Sequence, residues 1–129
     1  MKKVRRRGTP LEIEVGRICR SLGKRYRRNV KSLPGSPDLA NKSRKWAVFA
    51  NGCFWHHHAG CRLATVPSRN VRFWRRKFAE NRERDARKIA QLRQLGLQVV
   101  VVWQCELEDR DRLVQRLSNL GEARVVKAS

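Results

Sequence analysis

Helical spacing of apolar residues predicts an amphipathic helix near the start of the chain, from Pro10 to about Leu22. Thr9, Pro10 and Glu12 occupy the positions of an N-cap, a first-turn proline and a glutamate that can reach back to the cap. Gly23 then stands where a helix commonly ends. The predicted apolar face consists of Leu11, Val15, Ile18, Cys19 and Leu22.

Shorter apolar segments follow this helix and predict two or three strands. Residues 25–30 favour a short first strand, and a turn-rich segment then brings Asp38 to the start of a second strand at residues 39–40. After another turn, residues 45–50 (KWAVFA) have the apolar and aromatic composition of a third strand. Asp38 is therefore expected beside the strands.

The second half of the chain predicts helix, strand and helix. A long amphipathic pattern covers residues 68–95 and ends at Gly96. Residues 98–103 (QVVVVW) form a continuous apolar run, typical of a strand covered on both faces, and we expect it at the centre of the sheet. The last helix has Leu113, Val114, Leu117 and Leu120 on one side. This order predicts one α/β domain over residues 1–129.

The charge of the chain indicates its class of partner. Lys and Arg number 31 against 11 acidic residues, which gives a formal net charge of +20. The basic residues come in blocks, with twelve in residues 1–31 and ten in residues 69–93. A body this positive repels itself unless a polyanion neutralises it, and nucleic acid is the commonest polyanion. The alternative is a basic protein without such a partner.

The cysteines have to be interpreted together with the compartment. No apolar stretch approaches the roughly 18 residues of a membrane span, and the basic N-terminus lacks the apolar run of a secretory signal. We therefore expect a cytoplasmic, nucleoid-associated protein, in which cysteines are metal ligands or buried thiols rather than disulfides. Cys19 lies on the apolar face of the first helix, so we expect a core thiol there.

Residues 51–61 (NGCFWHHHAGC) concentrate the chemistry of the chain. Three sulfurs and one imidazole are the donor set of a closed structural zinc site. The candidates are Cys53, His58, Cys61 and, directly after the apolar run, Cys105. His56 also has ligand spacing, so the spacing leaves the choice of histidine open. The alternative is a surface loop of histidines with ordinary buried thiols.

The remaining histidines and Asp38 suit a different chemistry. A carboxylate that binds Mg²⁺ and a histidine able to exchange a proton are suited to phosphodiester hydrolysis. Taken alone, Asp38 follows Pro37 and is better explained as a turn residue. The residue types therefore allow a nuclease without requiring one.

Four motifs together resemble the very-short-patch-repair (Vsr) endonucleases: LPGSPD, VFANGCFWHHHAGC, FWRRKFAENRERD and VVVVWQC. The likeness extends from Met1 to about Asp109. It implies a nuclease that nicks duplex DNA at T:G mismatches left by deamination of 5-methylcytosine. It also implies an α/β restriction-endonuclease-like (PD-(D/E)xK-related) fold, with a central mixed sheet flanked by helices and one structural zinc site, and mismatch-repair partners such as MutL.

The resemblance implies roles for the active-site candidates. Mg²⁺ would be held by Asp38 and by the backbone carbonyl of Ala50, and His56 would be the catalytic histidine. Glu12 matches a glutamate near the active site, although it could equally serve the helix cap. The zinc ligands implied by the resemblance are Cys53, His58, Cys61 and Cys105.

DNA contacts are implied in the same way. Phe54 and Trp55 match residues that push between base pairs, and the alternative is a buried aromatic pair. Lys77 and Asn81 match the residues that read the mismatched pair. The alternative is that they belong to an ordinary solvated helix face. Asp85 lies one turn beyond Asn81 and is predicted to orient the catalytic histidine.

The chain departs from the family pattern at three places. Asn51 replaces a common histidine, one extra residue separates the last two zinc ligands of the loop, and Met1 matches a methionine that elsewhere follows an N-terminal helix. The basic block from Lys2 to Arg7 would compensate electrostatically for that helix. Two other functions stay open: a general or mobile-element nuclease, and an inactive zinc-stabilised DNA-binding protein.

Overall fold

A computed structural model describes residues 10–121 of the chain. The helices are α1 (Pro10–Ser21), α2 (Val71–Gln94) and α3 (Arg110–Ser118), and a 3₁₀ turn spans Gln104–Glu108. The strands are β1 (Arg27–Arg28), β2 (Leu39–Asn41), β3 (Trp46–Asn51) and β4 (Gln98–Trp103). The predicted order of elements is confirmed. Thr9 and its capping role, Met1, and the block from Lys2 to Arg7 lie outside the described residues.

The four strands form one mixed sheet in the order β1-β2-β3-β4. The first two pairings are antiparallel and the pairing of β3 with β4 is parallel. The first strand is shorter than the predicted 25–30, and it ends before Asn29, which adopts φ 48°, outside the extended region. Its segment still pairs with the Asp38 loop, since the Asn29 N–H donates to the Asp38 carbonyl at 2.9 Å.

The expected central position of the apolar strand is wrong for the described residues. Within residues 10–121, β4 stands at the end of the strand order and pairs with β3. Its apolar character comes from cover on both faces rather than from two neighbouring strands. One face packs with α1 and α3 through Val102, and the other face packs with α2 through Val99.

The core therefore has two layers, one on each face of the sheet. On β3, Trp46 and Val48 belong to the layer under α1 and α3, whereas Ala47 and Phe49 belong to the layer under α2. This alternation follows from the two-residue period of a strand. Leu113, Leu117 and Leu120 are buried in the first layer, as predicted. None of the helices described is both long and apolar enough to cross a bilayer.

Candidate metal centre and active-site cleft

The parallel register brings two distant cysteines together. Asn51, the last residue of β3, is the register partner of Trp103, the last residue of β4. Each strand is followed two residues later by a cysteine, so Cys53 and Cys105 meet at the same edge of the sheet. The Cys105 N–H donates to the Cys53 sulfur at 3.4 Å. The predicted encounter of these two residues is therefore observed.

Four side chains converge at this edge. One ligand atom from each of Cys53, His58, Cys61 and Cys105 lies within 4.8 Å of the others. His58 Nδ1 lies 3.7 Å from the Cys53 sulfur and 3.6 Å from the Cys105 sulfur. Typical Zn–S and Zn–N bond lengths in a tetrahedron put such donors about 3.6–3.8 Å apart. The cluster thus has the size of a tetrahedral metal site.

The surrounding residues hold this cluster in place. The His58 ring stacks on Trp103, with centroids 4.0 Å apart and an interplanar angle of 5°. Behind it, the Glu106 carboxylate accepts the Trp103 N–H at 2.9 Å and pairs with Arg116 of α3. Gly60, in the longer loop before Cys61, takes φ 70°, which suits glycine. The donors are therefore set by tertiary contacts as well as by the loop.

The thiols of the cluster influence one another's ionisation. Burial raises the pKa of Cys105 to about 12, and the neighbouring Cys53 and Cys61 sulfurs add to the rise. Burial also raises the pKa of Cys53, whereas the Leu63 N–H lowers the pKa of Cys61. Thiolates this close repel one another, and a divalent cation among them removes that cost. The donor chemistry is that of a metal centre.

Cys19 stands apart from the cluster. Its side chain is fully buried in α1 among core residues, and burial raises its thiol pKa to about 11. The prediction of a core thiol at this position is confirmed.

A cleft of about 650 Å³ opens beside the metal centre. It lies between α1, the ends of β2 and β3, and α2. The cleft brings together the side chains that the sequence singled out for catalysis. Its polar and aromatic lining includes Glu12, Asp38, Asn51, Trp55, His56, Asp85, Lys88 and Gln104.

Asp38 sits in this cleft immediately before β2. Its Oδ2 accepts the Ala50 N–H at 2.7 Å, which joins the carboxylate to the end of β3. Burial raises the pKa of Asp38 to about 6, the Ala50 N–H opposes that rise, and the Glu12 carboxylate adds to it. A buried carboxylate beside a second acid favours a cation as its partner.

His56 is joined to Asp85 across the cleft. His56 Nδ1 lies 2.6 Å from Asp85 Oδ2, as the predicted orienting contact requires. When Nδ1 carries the proton that Asp85 accepts, Nε2 is the nitrogen that exchanges protons with other groups. His58, two residues along, is instead drawn into the sulfur cluster. The structure thus separates the two histidines that spacing alone could not distinguish.

Glu12 is buried on α1 and lines the same cleft. Its side chain is only 2% exposed, and its carboxylate lies 3.5 Å from the Arg28 guanidinium in an ion pair. This location supports the active-site alternative for Glu12. Its capping alternative depends on Thr9, which is outside the described residues.

Phe54 and Trp55, the candidates for a wedge between base pairs, differ in exposure. Trp55 is 41% exposed, whereas the half-buried Phe54 packs against Trp74 and Phe78 of α2, with ring centroids 5.8 and 5.3 Å away. Phe54 also meets Trp55 edge to face at 4.9 Å. Phe54 therefore packs between α2 and the exposed Trp55 ring.

The mismatch-reader candidates lie on α2 next to this pair. Lys77 is exposed, and Asn81 donates its Nδ2–H to the Trp55 carbonyl at 3.0 Å. Sequence reasoning missed this contact, which joins a reader candidate to the wedge. It also missed His57, whose ring stacks on Phe78 with centroids 4.2 Å apart. The only signal in the sequence for this stacking was an aromatic ring in a loop close to a helix with an apolar face.

Comparison with known proteins now adds to this geometry. The family model described as DNA mismatch endonuclease Vsr matches residues 1–62. The DNA mismatch endonuclease Vsr of Escherichia coli is 38% identical over 113 residues, which cover 88% of this chain and 72% of that protein. The chain belongs to the Vsr endonuclease family.

Other relatives carry the name of nicking enzymes. The type II nicking enzyme V.XorIIP of Xanthomonas oryzae pv. oryzae is 44% identical over 120 residues, covering 93% of this chain and 88% of the relative. The type II nicking enzyme V.NmeAIP of Neisseria meningitidis is 37% identical over 120 residues, covering 93% and 85%. As a member of the Vsr family, the chain is an endonuclease that acts on DNA.

Proposed function

We propose that this endonuclease nicks one strand of duplex DNA at T:G mismatches, with Mg²⁺ as catalytic cofactor and Zn²⁺ as structural cofactor. The observation that carries the proposal is the cleft, in which Asp38 and the His56–Asp85 pair face a single space beside exposed Trp55. We also propose that the mixed sheet is a restriction-endonuclease-like fold in one domain, and that mismatch-repair proteins such as MutL are partners.

Two kinds of donor support two different ions. Three thiols and an imidazole whose ligand atoms lie within 4.8 Å of one another suit Zn²⁺, which prefers sulfur and nitrogen. The Asp38 carboxylate and the Ala50 carbonyl would offer oxygen ligands, which suit Mg²⁺. When bound there, Mg²⁺ supplies charge neutralisation at the phosphate and lowers the pKa of bound water. Asp38 therefore has the role of holding the ion at the scissile phosphate.

The His56–Asp85 pair has the role of moving the proton. Asp85 keeps the imidazole in one orientation and favours a proton on Nδ1. Nε2 can then take or give a proton as water attacks phosphorus and the bond from phosphorus to the 3′-oxygen breaks. The products are a 5′-phosphate and a 3′-hydroxyl. Buried Glu12 contributes negative charge beside Asp38, as its influence on that carboxyl indicates.

We assign the mismatch preference to Trp55, as a wedge between base pairs, and to the two mismatch-reader candidates on α2. Opening a base step costs a few kcal/mol, and the cost is lower where the pair stacks weakly, so an exposed Trp55 ring favours mismatched sites. Lys77 and Asn81 can donate hydrogen bonds to the acceptors of a T:G pair in the major groove. The Asn81 contact with the Trp55 carbonyl couples both tasks.

The direct test is a comparison of matched and mismatched duplexes in the presence of Mg²⁺. We expect single-strand nicking of T:G duplexes at a much higher rate than of T:A duplexes. Equal nicking of both would replace mismatch repair by a general nuclease. Binding of DNA without nicking of any duplex would support an inactive DNA-binding protein, in which Asn51 stands for a lost histidine.

Two substitutions should remove the preference for T:G over T:A duplexes while the catalytic residues of the cleft stay in place. Trp55→Ala loses the wedge and Asn81→Ala loses the base contact, so the ratio of T:G to T:A nicking rates should fall. For Asn81→Ala the loss should be about 1–3 kcal/mol, the discrimination of a good base contact. Single-turnover rates on both duplexes measure it. Asn119→Ala, at the exposed end of α3, is the matched control and should keep the wild-type ratio.

A further inference from the structure

Lys88 of α2 is a cleft residue that neither the sequence nor the family comparison assigns to the reaction. Among the described residues that line the cleft, it is the one Lys or Arg. The same lining carries three carboxylates, those of Glu12, Asp38 and Asp85. These carboxylates repel a DNA phosphate that enters the cleft, so a cation in the lining favours phosphate binding.

Three contacts hold Lys88 in the cleft wall. Its Nζ forms an ion pair with Asp85 Oδ1 at 3.6 Å and lies 5.8 Å from the centroid of the Phe49 ring. Its stem packs on Gly35, where an added Cβ would stand 2.8 Å from the Lys88 Cβ, Cγ and Cδ. The side chain is only 29% exposed. Ordering a lysine side chain costs conformational entropy, which these contacts have to offset.

The Asp85 carboxylate is therefore shared between two cleft residues. Its Oδ2 contacts His56 and its Oδ1 contacts Lys88. An ammonium has three N–H donors, and the pair with Asp85 uses at most one of them. The positive charge also reaches Asp38: Lys88 lowers the pKa of that carboxyl, against the larger rise from burial.

We propose that Lys88 is a further active-site residue, which binds the scissile phosphate of DNA and is positioned for it by Gly35 and Asp85. The proposal rests on nicking at this cleft. Lys88 places its charge next to the His56–Asp85 pair, so one residue contacts the phosphate while its neighbour handles the proton. Gly35 matters for two reasons: its backbone takes φ 76°, which suits glycine, and an added Cβ would leave no room for the Lys88 stem.

The test compares Lys88→Met with Lys42→Met. Methionine keeps most of the stem and removes the charge, and Lys42 is an exposed lysine in the turn after β2. We expect Lys88→Met to slow single-turnover nicking on the order of 100-fold, as the loss of a preorganised donor does. Lys42→Met should nick at the wild-type rate. Thermal unfolding of both variants checks that the fold is retained.

A binding measurement without added Mg²⁺ tests the contact by affinity instead of by nicking rate. Two duplexes are used, one natural and one with an uncharged methylphosphonate at the position where the wild-type protein nicks. Lys88→Met should weaken binding of the natural duplex about tenfold more than binding of the methylphosphonate duplex, the value of a charge-assisted hydrogen bond. Equal weakening of both duplexes would contradict a contact with that phosphate.

Gly35→Ala provides a second variant that leaves every charge in place. The added methyl group displaces the Lys88 stem and strains the backbone at φ 76°, so nicking should slow and the unfolding temperature should fall. Because the slower nicking comes from the displaced Lys88, Gly35→Ala combined with Lys88→Met should be no slower than Lys88→Met alone. If Lys88→Met nicks as fast as Lys42→Met, the inference about Lys88 is wrong and the proposed function stands. If the wild-type protein nicks no duplex, both are wrong.

Discussion

Asp38→Asn is expected to reduce nicking on the order of 1000-fold or more while DNA binding survives. Asparagine keeps an oxygen that can accept the Ala50 N–H, so the end of β3 stays in place. What is lost is the negative charge that holds a divalent ion at the phosphate. Single-turnover nicking of a T:G duplex in Mg²⁺ measures the first effect, and binding of the same duplex without added Mg²⁺ measures the second.

Binding should be unchanged or tighter in this variant. Removing a carboxylate near a phosphate removes repulsion between like charges, so a weaker complex is not expected. Asp111→Asn is the matched control, because Asp111 is an exposed acid in the first turn of α3 and should leave both measurements unchanged. Nicking by Asp38→Asn at the wild-type rate would show that the active site has been assigned to the wrong cleft.

Cys105→Ser is expected to lose the bound zinc and most of the folded state. Binding of a structural zinc contributes folding free energy on the order of 10 kcal/mol, which is comparable to the whole stability of a small domain. Cys105 is also the cluster residue that joins the turn after β4 to the loop after β3. Elemental analysis should give one zinc per wild-type chain and none in the variant, and thermal unfolding should show a loss of the cooperative transition.

Cys19→Ser separates this effect from the general cost of replacing a buried thiol. Cys19 is fully buried in α1 and outside the cluster, so its substitution should lower stability and leave one zinc per chain. Wild-type protein purified without chelator that contains no zinc would contradict the assignment of the metal. Full zinc content in Cys105→Ser would contradict the assignment of the ligand.

Local patterns were sufficient for most of the secondary structure. The C-terminal ends of α1 and α2 follow from apolar spacing and from Gly23 and Gly96, both of which take positive φ there, whereas α2 begins at Val71 rather than at the predicted residue 68. The first strand was predicted too long because the only local sign of its end is Asn29, a residue type that tolerates the left-handed region but does not require it. Conformations that depend on a single residue leaving the extended region are weakly encoded in composition.

The position of β4 shows where local patterns reach their limit. A continuous apolar run indicates that both faces of a strand are covered. Both faces of β4 are covered, one by α2 and the other by the α1–α3 layer. The run does not indicate how many strands stand beside it. Strand neighbours are decided by which edges meet in the folded sheet, and in residues 10–121 β4 meets β3 alone.

The sequence by itself determined the elements, the positive charge and the residue types available for chemistry. Only the tertiary structure decided which of them meet. Parallel pairing of β3 with β4 brings Cys53 to Cys105, 52 positions away, and the packing of α2 brings Asp85 to His56, 29 positions away. The Gly35–Lys88 contact arises in the same way. Such contacts depend on how distant elements pack, which the spacing of residues along the chain does not contain.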